Sequence, residues 1–256
     1  MEARKICGIS YIVGKWPLDP AKSTLFFIHG AAGSCVFWKA QIEGLAGRAN
    51  SIAIDLPGHG RSDGPGEDNV EGYARAVKEF TEAIKSPATI PCGISMGGAI
   101  AMQLLIDYRK RFRAGILIST GARLTVAPAL LETIRNDYDA FVKMLGKFAA
   151  SPQSNPEVSQ LFQQDLAMSN AETALGDFRA CDNFNAVGKL SSIEVPALIV
   201  TAEDDKLTPP KYGKFLEKEI KNVRRTHIRA AGHIVPMEKP DDVNKAIVDF
   251  LDEAGL

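Results

Sequence analysis

The chain has 256 residues, a length that suits one large α/β domain with an insertion as well as two smaller domains. Hydrophobic residues make up 45% of it and charged residues 24%, as in ordinary soluble globular proteins. The formal net charge of -1 gives no electrostatic reason to expect a nucleic acid or an anionic membrane as a partner.

The sequence also argues against a membrane anchor, a metal centre and a cofactor. No stretch approaches the roughly 20 apolar residues that cross a bilayer, and the run at 6–13 is too short and too polar for a secretory signal. A cytoplasmic location is therefore the default expectation. The four cysteines are scattered without a Cys-x-x-Cys pair, so we expect neither a disulfide framework nor a zinc site. The glycine turn at 29–33 lacks the nucleotide-binding fingerprints, and no cofactor is expected.

Strand-like and helix-like patterns alternate through the first 120 residues. An apolar segment at 5–13 leaves open whether one strand or two precede residue 23. The continuous apolar run at 23–28 is typical of a parallel strand that is covered on both faces. Helix and strand patterns then alternate over 37–46, 51–55, 70–85, 88–94, the segment from Met96 onward, and 114–119. This order predicts an α/β fold with a mostly parallel central sheet and helices on both faces.

The alternation stops between residues 121 and 190. Apolar residues at helical spacing predict a helix over 130–148 and two more near 158–166 and 174–178. The α/β order resumes with segments at 195–201, 210–221, 223–228 and 240–251. We therefore predict a core domain of residues 1–120 and 191–256, with a helical lid of residues 121–190 inserted in it. Such a lid would lie over the carboxyl ends of the strands, where α/β sheets bind ligands.

The pattern Gly-x-Ser-x-Gly at residues 93–97 lies between a strand-like and a helix-like run. A sharp strand-to-helix turn holds its serine at a strained backbone angle, and a Cβ at Gly93 or Gly97 would collide with that turn. The hydroxyl of Ser95 would then be exposed beside a helix N-terminus. An ordinary tight turn also produces this pattern, so its meaning depends on the rest of the chain.

A serine nucleophile needs a general base that a third group orients. Among the four histidines, His227 lies inside a predicted strand and is interpreted as structural. His29 and His59 lie in loops that they are expected to shape through hydrogen bonds. His233 lies just past the last predicted strand, beside a glycine, and is therefore the candidate base.

Three carboxylates follow the preceding predicted strand: Glu203, Asp204 and Asp205. Only one of them needs to face the base, and we expect the others to be solvated or to cap the helix that follows. Two backbone N–H groups are candidates for an oxyanion hole. Met96 supplies one at the start of a helix, and Ala31 supplies the other in the loop after the first buried strand.

Five motifs in this order resemble the α/β-hydrolase superfamily: residues 29–33 (HGAAG), 55–63 (DLPGHGRSD), 93–98 (GISMGG), 205–210 (DKLTPP) and 232–233 (GH). The resemblance covers about residues 23–256 and includes the chain order serine, aspartate, histidine. It implies that Asp205 rather than Asp204 is the acid, and it places the family's oxyanion residue on Ala31. Within the superfamily the chain is most similar to small bacterial lidded serine esterases, a group like the biotin-pathway carrier-protein methyl esterase and the meta-cleavage-product hydrolases.

These observations predict a serine hydrolase of carboxylic esters that works through an acyl-enzyme. Ser95 would attack the carbonyl, His233 would take and return the proton, and Asp205 would fix the imidazole. The apolar lid predicts an acyl or aromatic ester substrate, although the same apolar residues could simply pack the lid. Two alternatives stay open: cleavage of a carbon–carbon or thioester bond by the same triad, and a non-catalytic small-molecule receptor. A monomer or a small homo-oligomer is expected, and Arg123 is interpreted as a surface residue rather than an anion-binding one.

Overall fold

The computed structural model describes residues 2–256, so Met1 of the predicted core domain lies outside the described part. Residues 2–256 contain eight β-strands and ten α-helices. The strands are β1 (Ala3–Ile6), β2 (Ile9–Val13), β3 (Thr24–Ile28), β4 (Asn50–Ile54), β5 (Thr89–Ile94), β6 (Gly115–Ile118), β7 (Ala197–Ala202) and β8 (Val223–Ile228). The helices are α1 (Lys39–Gly44), α2 (Val70–Ala83), α3 (Met96–Asp107), α4 (Pro128–Asn136), α5 (Tyr138–Ala149), α6 (Pro156–Leu166), α7 (Ala171–Asn183), α8 (Pro210–Glu219), α9 (Val235–Glu238) and α10 (Pro240–Glu253).

All eight strands form one sheet in the order β1-β2-β4-β3-β5-β6-β7-β8. The pairs from β4 through β8 are parallel, whereas β1 and β2 pair in antiparallel fashion, as do β2 and β4. Two strands therefore precede residue 23. Cys7 and Gly8 join them with φ angles of 49° and 78°, the positive values that a two-residue hairpin turn requires. The predicted α/β fold with a mostly parallel sheet is confirmed.

Helices cover both faces of the sheet, which explains why its central strands are apolar throughout. Successive side chains of a strand point to opposite faces. Accordingly, Phe27 packs in a core with Trp38 and residues of α10, while Phe26 packs in a second core with residues of α2 and α3. Helix α3 is buried from Met96 to Leu105 because it packs between the sheet, α2 and α7. A helix that is apolar all round is expected in such a central position.

Helices α4 to α7 lie between β6 and β7 in the chain, and we call residues 121–190 the helical segment. Its first predicted helix, over 130–148, is instead two helices, α4 and α5. The break lies at Asp137, which has a φ of −153° and accepts a hydrogen bond from the N–H of Ala140 at 2.9 Å. Asp137 thus caps α5, and apolar spacing alone does not reveal such a cap. The assignment of residues 121–190 as a separate lid stays a prediction.

The helix predicted over 37–46 also differs, because it begins with a 3₁₀ turn at Cys35–Trp38 before α1. Over residues 2–256, none of the helices combines the length and the apolar character that a bilayer crossing requires. The location of the protein in the cell stays a prediction.

Candidate active site

Ser95 lies at the corner between β5 and α3 with φ 55° and ψ −119°, a conformation that residues other than glycine rarely adopt. Two backbone contacts hold it there: its N–H donates to the carbonyl of Ile118 at 3.0 Å, and the Thr120 hydroxyl donates to its carbonyl at 2.8 Å. The flanking glycines allow the close approach. A Cβ on Gly93 would lie 2.0 Å from the Gly97 carbonyl oxygen, and one on Gly97 would lie 2.2 Å from a β3 carbonyl oxygen.

His233 and Asp205 form a buried pair beyond the ends of β7 and β8. The Nδ1 atom of His233 lies 3.1 Å from Oδ1 and 3.0 Å from Oδ2 of Asp205. The same carboxylate accepts the N–H groups of Leu207 and Thr208 at 2.9 and 2.8 Å, and the Thr208 hydroxyl at 2.8 Å. Burial acts to raise the pKa of Asp205, but His233 and these hydrogen bonds outweigh it and hold the pKa below its ordinary value. Asp205 is therefore a carboxylate at neutral pH.

Thr208 is a site residue that is not predicted from the sequence motifs. Besides donating to Asp205, its Oγ1 atom lies 3.2 Å from Nδ1 of His233. A threonine three residues after an aspartate is a known local signal, since such a carboxylate commonly accepts hydrogen bonds from the turn that follows it.

Ser95 and His233 line one cavity of about 290 Å³, together with Ala31. Asp205 lies behind His233, and the buried Met96 follows Ser95 at the start of α3. Apolar side chains from the helical segment supply much of the wall: Leu124, Val126, Ala127, Leu130, Leu145, Phe162 and Phe178. Thr125, Lys206, Thr208 and Tyr212 are polar lining residues. The structure thus places all five predicted site residues in or directly beside one apolar cavity.

The N–H groups of Ala31 and Met96 have no hydrogen-bond partner among residues 2–256. Neighbouring N–H groups of the same loop are paired, since Ala32 donates to Asp177 at 2.7 Å and Gly33 donates to the Gly30 carbonyl at 3.2 Å. Backbone donors beside a cavity that lack a protein partner are suited to bind an oxygen atom of a ligand.

His29 and His59 shape loops, as predicted. Nδ1 of His29 donates to the Gly30 carbonyl, and Nε2 accepts the N–H of Leu56 at 3.1 Å. Burial, with a contribution from His59, lowers the pKa of His29 to about 4, which keeps the ring neutral and able to accept. Burial acts to lower the pKa of His59 as well, but the carboxylate of Asp177, 2.8 Å from its Nε2, outweighs burial and raises that pKa. His227 lies in β8, as expected.

Glu203 and Asp204 do not cap helix α8, which has no side-chain cap. Glu203 is exposed, which agrees with the expectation that it is solvated, and it accepts the N–H of Ala230 at 3.0 Å. Asp204 is half-buried, and its carboxylate accepts the Ser151 hydroxyl at 2.5 Å. Arg123 is exposed and donates to Asn185 at 3.1 Å, which agrees with its interpretation as a surface residue.

The helical segment is bonded to the loop that carries His233. The N–H of His233 donates to the carbonyl of Ala149, at the end of α5, at 2.6 Å. Glu238 links the two chain segments a second time, since it accepts the N–H of Gly232 at 2.9 Å and that of Ser151 at 2.8 Å. A Cβ on Gly232 would lie 2.5 Å from the Ala149 carbonyl oxygen, so this contact requires glycine.

Asp165 and Asp177 of the helical segment are buried carboxylates that are likewise not predicted from the sequence. Asp165, in α6, accepts the hydroxyl of Ser34 and its N–H, the latter at 3.3 Å. Asp177, in α7, accepts the N–H of Ala32. No local pattern marks these residues, because their partners lie 131 and 145 positions away in the chain.

Within residues 2–256, no group of three or more His, Cys, Asp or Glu side chains is arranged to hold a metal ion.

Asp165 gives a pH-dependent prediction. Burial raises its pKa to about 6, although the hydrogen bonds from Ser34 act in the opposite direction. Between the ordinary carboxyl pKa and about 6, the folded state holds a proton that the unfolded chain has released. The stability from this group is therefore present at low pH and is lost as the pH rises to about 6. We expect the unfolding free energy of the wild type, relative to Asp165→Asn, to fall by about 2 kcal/mol from pH 4 to pH 7. Urea unfolding of both proteins at the two pH values measures this, and a pH-independent difference would contradict it.

The model of the alpha/beta hydrolase family matches residues 25–246. The chain belongs to this family. The expectation of an α/β-hydrolase enzyme is thereby confirmed, and esterases are prominent among its relatives.

Three similar proteins illustrate the range of this α/β-hydrolase's relatives. A pimeloyl-[acyl-carrier protein] methyl ester esterase of Neisseria meningitidis is 28% identical in an alignment that covers 93% of this chain and 96% of that protein. 3-oxoadipate enol-lactonase 2 of Acinetobacter baylyi is 26% identical in an alignment that covers 88% of this chain and 87% of the relative. The structure of the enol-lactonase from Burkholderia xenovorans superposes with a TM-score of 0.88 over 98% of this chain and all of that chain; at 21% identity it supports the fold alone.

Proposed function

We propose that this α/β-hydrolase is a serine hydrolase of carboxylic esters. The observation that carries the proposal is that Ser95 and His233 line the same cavity while Nδ1 of His233 is hydrogen-bonded to Asp205. A histidine whose Nδ1 proton is held by a carboxylate presents its other nitrogen as a base, which is the arrangement that activates a serine hydroxyl.

In the proposed reaction, Ser95 attacks the ester carbonyl while His233 takes the hydroxyl proton. The buried carboxylate of Asp205 stabilises the imidazolium that forms, and His233 then gives the proton to the departing alcohol. Water, activated by the same imidazole, releases the acid from the acyl-enzyme. The unpaired N–H groups of Ala31 and Met96 are proposed to bind the negative oxygen of each tetrahedral intermediate.

The cavity favours a small, neutral, apolar ester. Its volume is at the lower end of the range for ligand pockets, and the helical segment supplies an apolar wall. Among its described lining residues, Lys206 is the one lysine or arginine, and that side chain is exposed. A carboxylate on the acyl chain would therefore enter an apolar space without a buried cation to pair with it, which is unfavourable. We propose that the helical segment acts as the lid that sets this preference.

The names of the relatives agree with ester cleavage as the general chemistry. A methyl ester and an enol-lactone both contain an acyl–oxygen bond, and proteins with these two names match more than four-fifths of the chain. The two names differ in the substrate, so the preference proposed for this chain is argued from its own cavity lining.

The first test is active-site labelling with a fluorophosphonate, followed by peptide mass mapping. We expect one adduct, on Ser95, and none in the Ser95→Ala variant. A wild-type protein that carries no adduct on Ser95 would overturn the proposed serine chemistry and would favour a binding protein on a hydrolase scaffold.

The second test follows once labelling has identified the reactive serine. It measures hydrolysis of a panel of chromogenic substrates. The panel contains neutral esters of increasing acyl length, esters of matched length that end in a carboxylate, the corresponding thioesters, and a dienone whose cleavage breaks a carbon–carbon bond. We expect the highest kcat/KM on short or medium neutral esters, with at least a tenfold loss, about 1.4 kcal/mol, for the carboxylate-bearing match. A higher kcat/KM on the thioesters or on the dienone would contradict the assignment of esters as substrates.

A further inference from the structure

We call residues 29–35 the oxyanion loop because Ala31 belongs to it. Few hydrogen bonds join residues of this loop to one another. Three of its N–H groups donate to carboxylates from elsewhere in the chain. Ala32 donates to Asp177 at 2.7 Å, Ser34 to Asp165 at 3.3 Å, and Cys35 to Asp55 at 2.8 Å. Two of these three acceptors belong to the helical segment. The conformation of the oxyanion loop therefore depends on distant side chains.

Asp177 makes the most complete set of contacts. Its side chain is entirely buried, at 0% exposure, although it starts from α7 on the helical segment. Oδ2 accepts both the N–H of Ala32 at 2.7 Å and Nε2 of His59 at 2.8 Å, and Oδ1 accepts the Tyr73 hydroxyl at 2.5 Å. Three donors thus fix both oxygens, so the carboxylate has a single orientation.

The group that Asp177 holds is under backbone strain. Ala32 has a φ of 58°, in the left-handed region where a residue with a Cβ is disfavoured, and its side chain is fully buried. Such a conformation persists only where surrounding contacts over-determine it. The hydrogen bond from Ala32 to Asp177 is such a contact, and it lies one peptide unit from the unpaired N–H of Ala31.

Charge balance makes the buried carboxylate tolerable. His59 donates to Asp177 through Nε2, and its Nδ1 lies 3.0 Å from the carbonyl of Pro57, so both ring nitrogens face acceptors. Both can donate only in the imidazolium form, which pairs with the carboxylate. Buried charges of this kind are expected to be matched and fully hydrogen-bonded. Asp177 is thus a fixed anionic anchor.

We propose that Asp177 is a positioning residue that holds the oxyanion loop so that the Ala31 N–H faces the reacting carbonyl oxygen, and that it thereby couples the helical segment to catalysis. This inference rests on the proposed ester hydrolysis. Asp177 is not among the residues that line the cavity, so it would act through the oxyanion loop. Its loss should weaken the binding of the oxyanion while the binding of the neutral ester changes little.

The test compares Asp177→Ala with Tyr73→Phe. Asp177→Ala removes all three hydrogen bonds of this buried network and releases the N–H of Ala32, whereas Tyr73→Phe removes one of them and leaves that N–H bound. Complete loss of an oxyanion donor costs about 10²–10³ in kcat, so displacement of one should lower kcat of Asp177→Ala by about 10- to 100-fold with KM within about threefold. Tyr73→Phe should lower Tm and keep kcat within about twofold. If Asp177→Ala does not fold, Asp177→Asn takes its place in the test. This isosteric variant keeps one carbonyl oxygen as an acceptor for the N–H of Ala32, so we expect a smaller loss of kcat.

A pair of inhibitors separates positioning from general destabilisation. A trifluoromethyl ketone adds to Ser95 and forms an oxyanion, whereas the matching secondary alcohol fits the cavity and forms none. In the Asp177 variant, Ki for the ketone should rise by the factor by which kcat/KM falls, and Ki for the alcohol should stay unchanged. An equal rise in both values, an unchanged kcat, or an equal loss in Tyr73→Phe would overturn the positioning role. A wild type that the ketone does not inhibit, and that carries no adduct on Ser95, would instead overturn the proposed function itself.

Discussion

Replacement of Ser95 by alanine is expected to lower ester turnover by about 10⁴-fold or more while the protein stays folded. The hydroxyl is the proposed nucleophile, and no other group at the corner between β5 and α3 can form the acyl-enzyme. Alanine also fits the site, because the strained backbone of Ser95 is held by its own N–H and carbonyl rather than by its side chain. Initial rates on the best neutral ester, with Tm recorded in parallel, measure the effect.

The matched control is Ser119→Ala. Ser119 follows β6 in the same sheet and is also buried with a positive φ, but it does not line the cavity and its hydroxyl has no partner among residues 2–256. We expect its turnover to stay within about threefold of the wild type. His233→Ala should resemble Ser95→Ala, because neither residue works without the other. Turnover above about one hundredth of the wild-type rate in Ser95→Ala would place the nucleophile elsewhere.

The second large effect concerns Asp205. Asp205→Asn preserves the size of the side chain but places an amide against Nδ1 of His233, which stabilises the wrong tautomer and removes the charge that offsets the imidazolium. We expect kcat to fall by about 10⁴-fold, with KM changed far less. Steady-state kinetics over a range of pH values measures both parameters.

Asp204→Asn is the control, since it makes the same chemical change at the adjacent residue. Its carboxylate bonds to the Ser151 hydroxyl and not to His233, so kcat should stay within about tenfold of the wild type. A severe loss in Asp204→Asn together with a mild one in Asp205→Asn would move the acid by one position.

Local patterns in the sequence predict most of the fold because its central strands are short, apolar and separated by amphipathic helices. The apolar run that forms β3 and the glycine-flanked turn at Ser95 can each be recognised from residues that are adjacent in the sequence. The division between α4 and α5 was not predicted, because the cap at Asp137 interrupts the helix without interrupting the apolar spacing. The number of strands before residue 23 does not follow from the sequence, because the turn at Cys7 and Gly8 has only two residues and does not interrupt the apolar segment.

Part of the candidate site is likewise predictable from adjacent residues. Ser95 and His233 are predicted from short motifs and their positions at strand ends, whereas the choice of Asp205 among three neighbouring carboxylates is what the resemblance to the α/β-hydrolase superfamily implies. The sequence does not reveal the carboxylates that support the oxyanion loop, because Asp177 and His59 are 118 positions apart in the chain and meet only in the folded structure. Burial of an aspartate is itself unexpected from sequence, since unpaired carboxylates are strongly disfavoured inside proteins.

The bond between the N–H of His233 and the carbonyl of Ala149 has a consequence for how specificity can be engineered or can evolve. The helical segment lines the cavity that we propose binds the acyl group, and it also carries acceptors for the loops that contain Ala31 and His233. A chimera that takes residues 121–190 from a related hydrolase would exchange both at once, and such contacts are not additive. We therefore expect that point substitutions along the cavity wall can change the substrate. Exchange of the whole helical segment requires in addition that the hydrogen-bond partners of Asp165 and Asp177 stay compatible with the new segment.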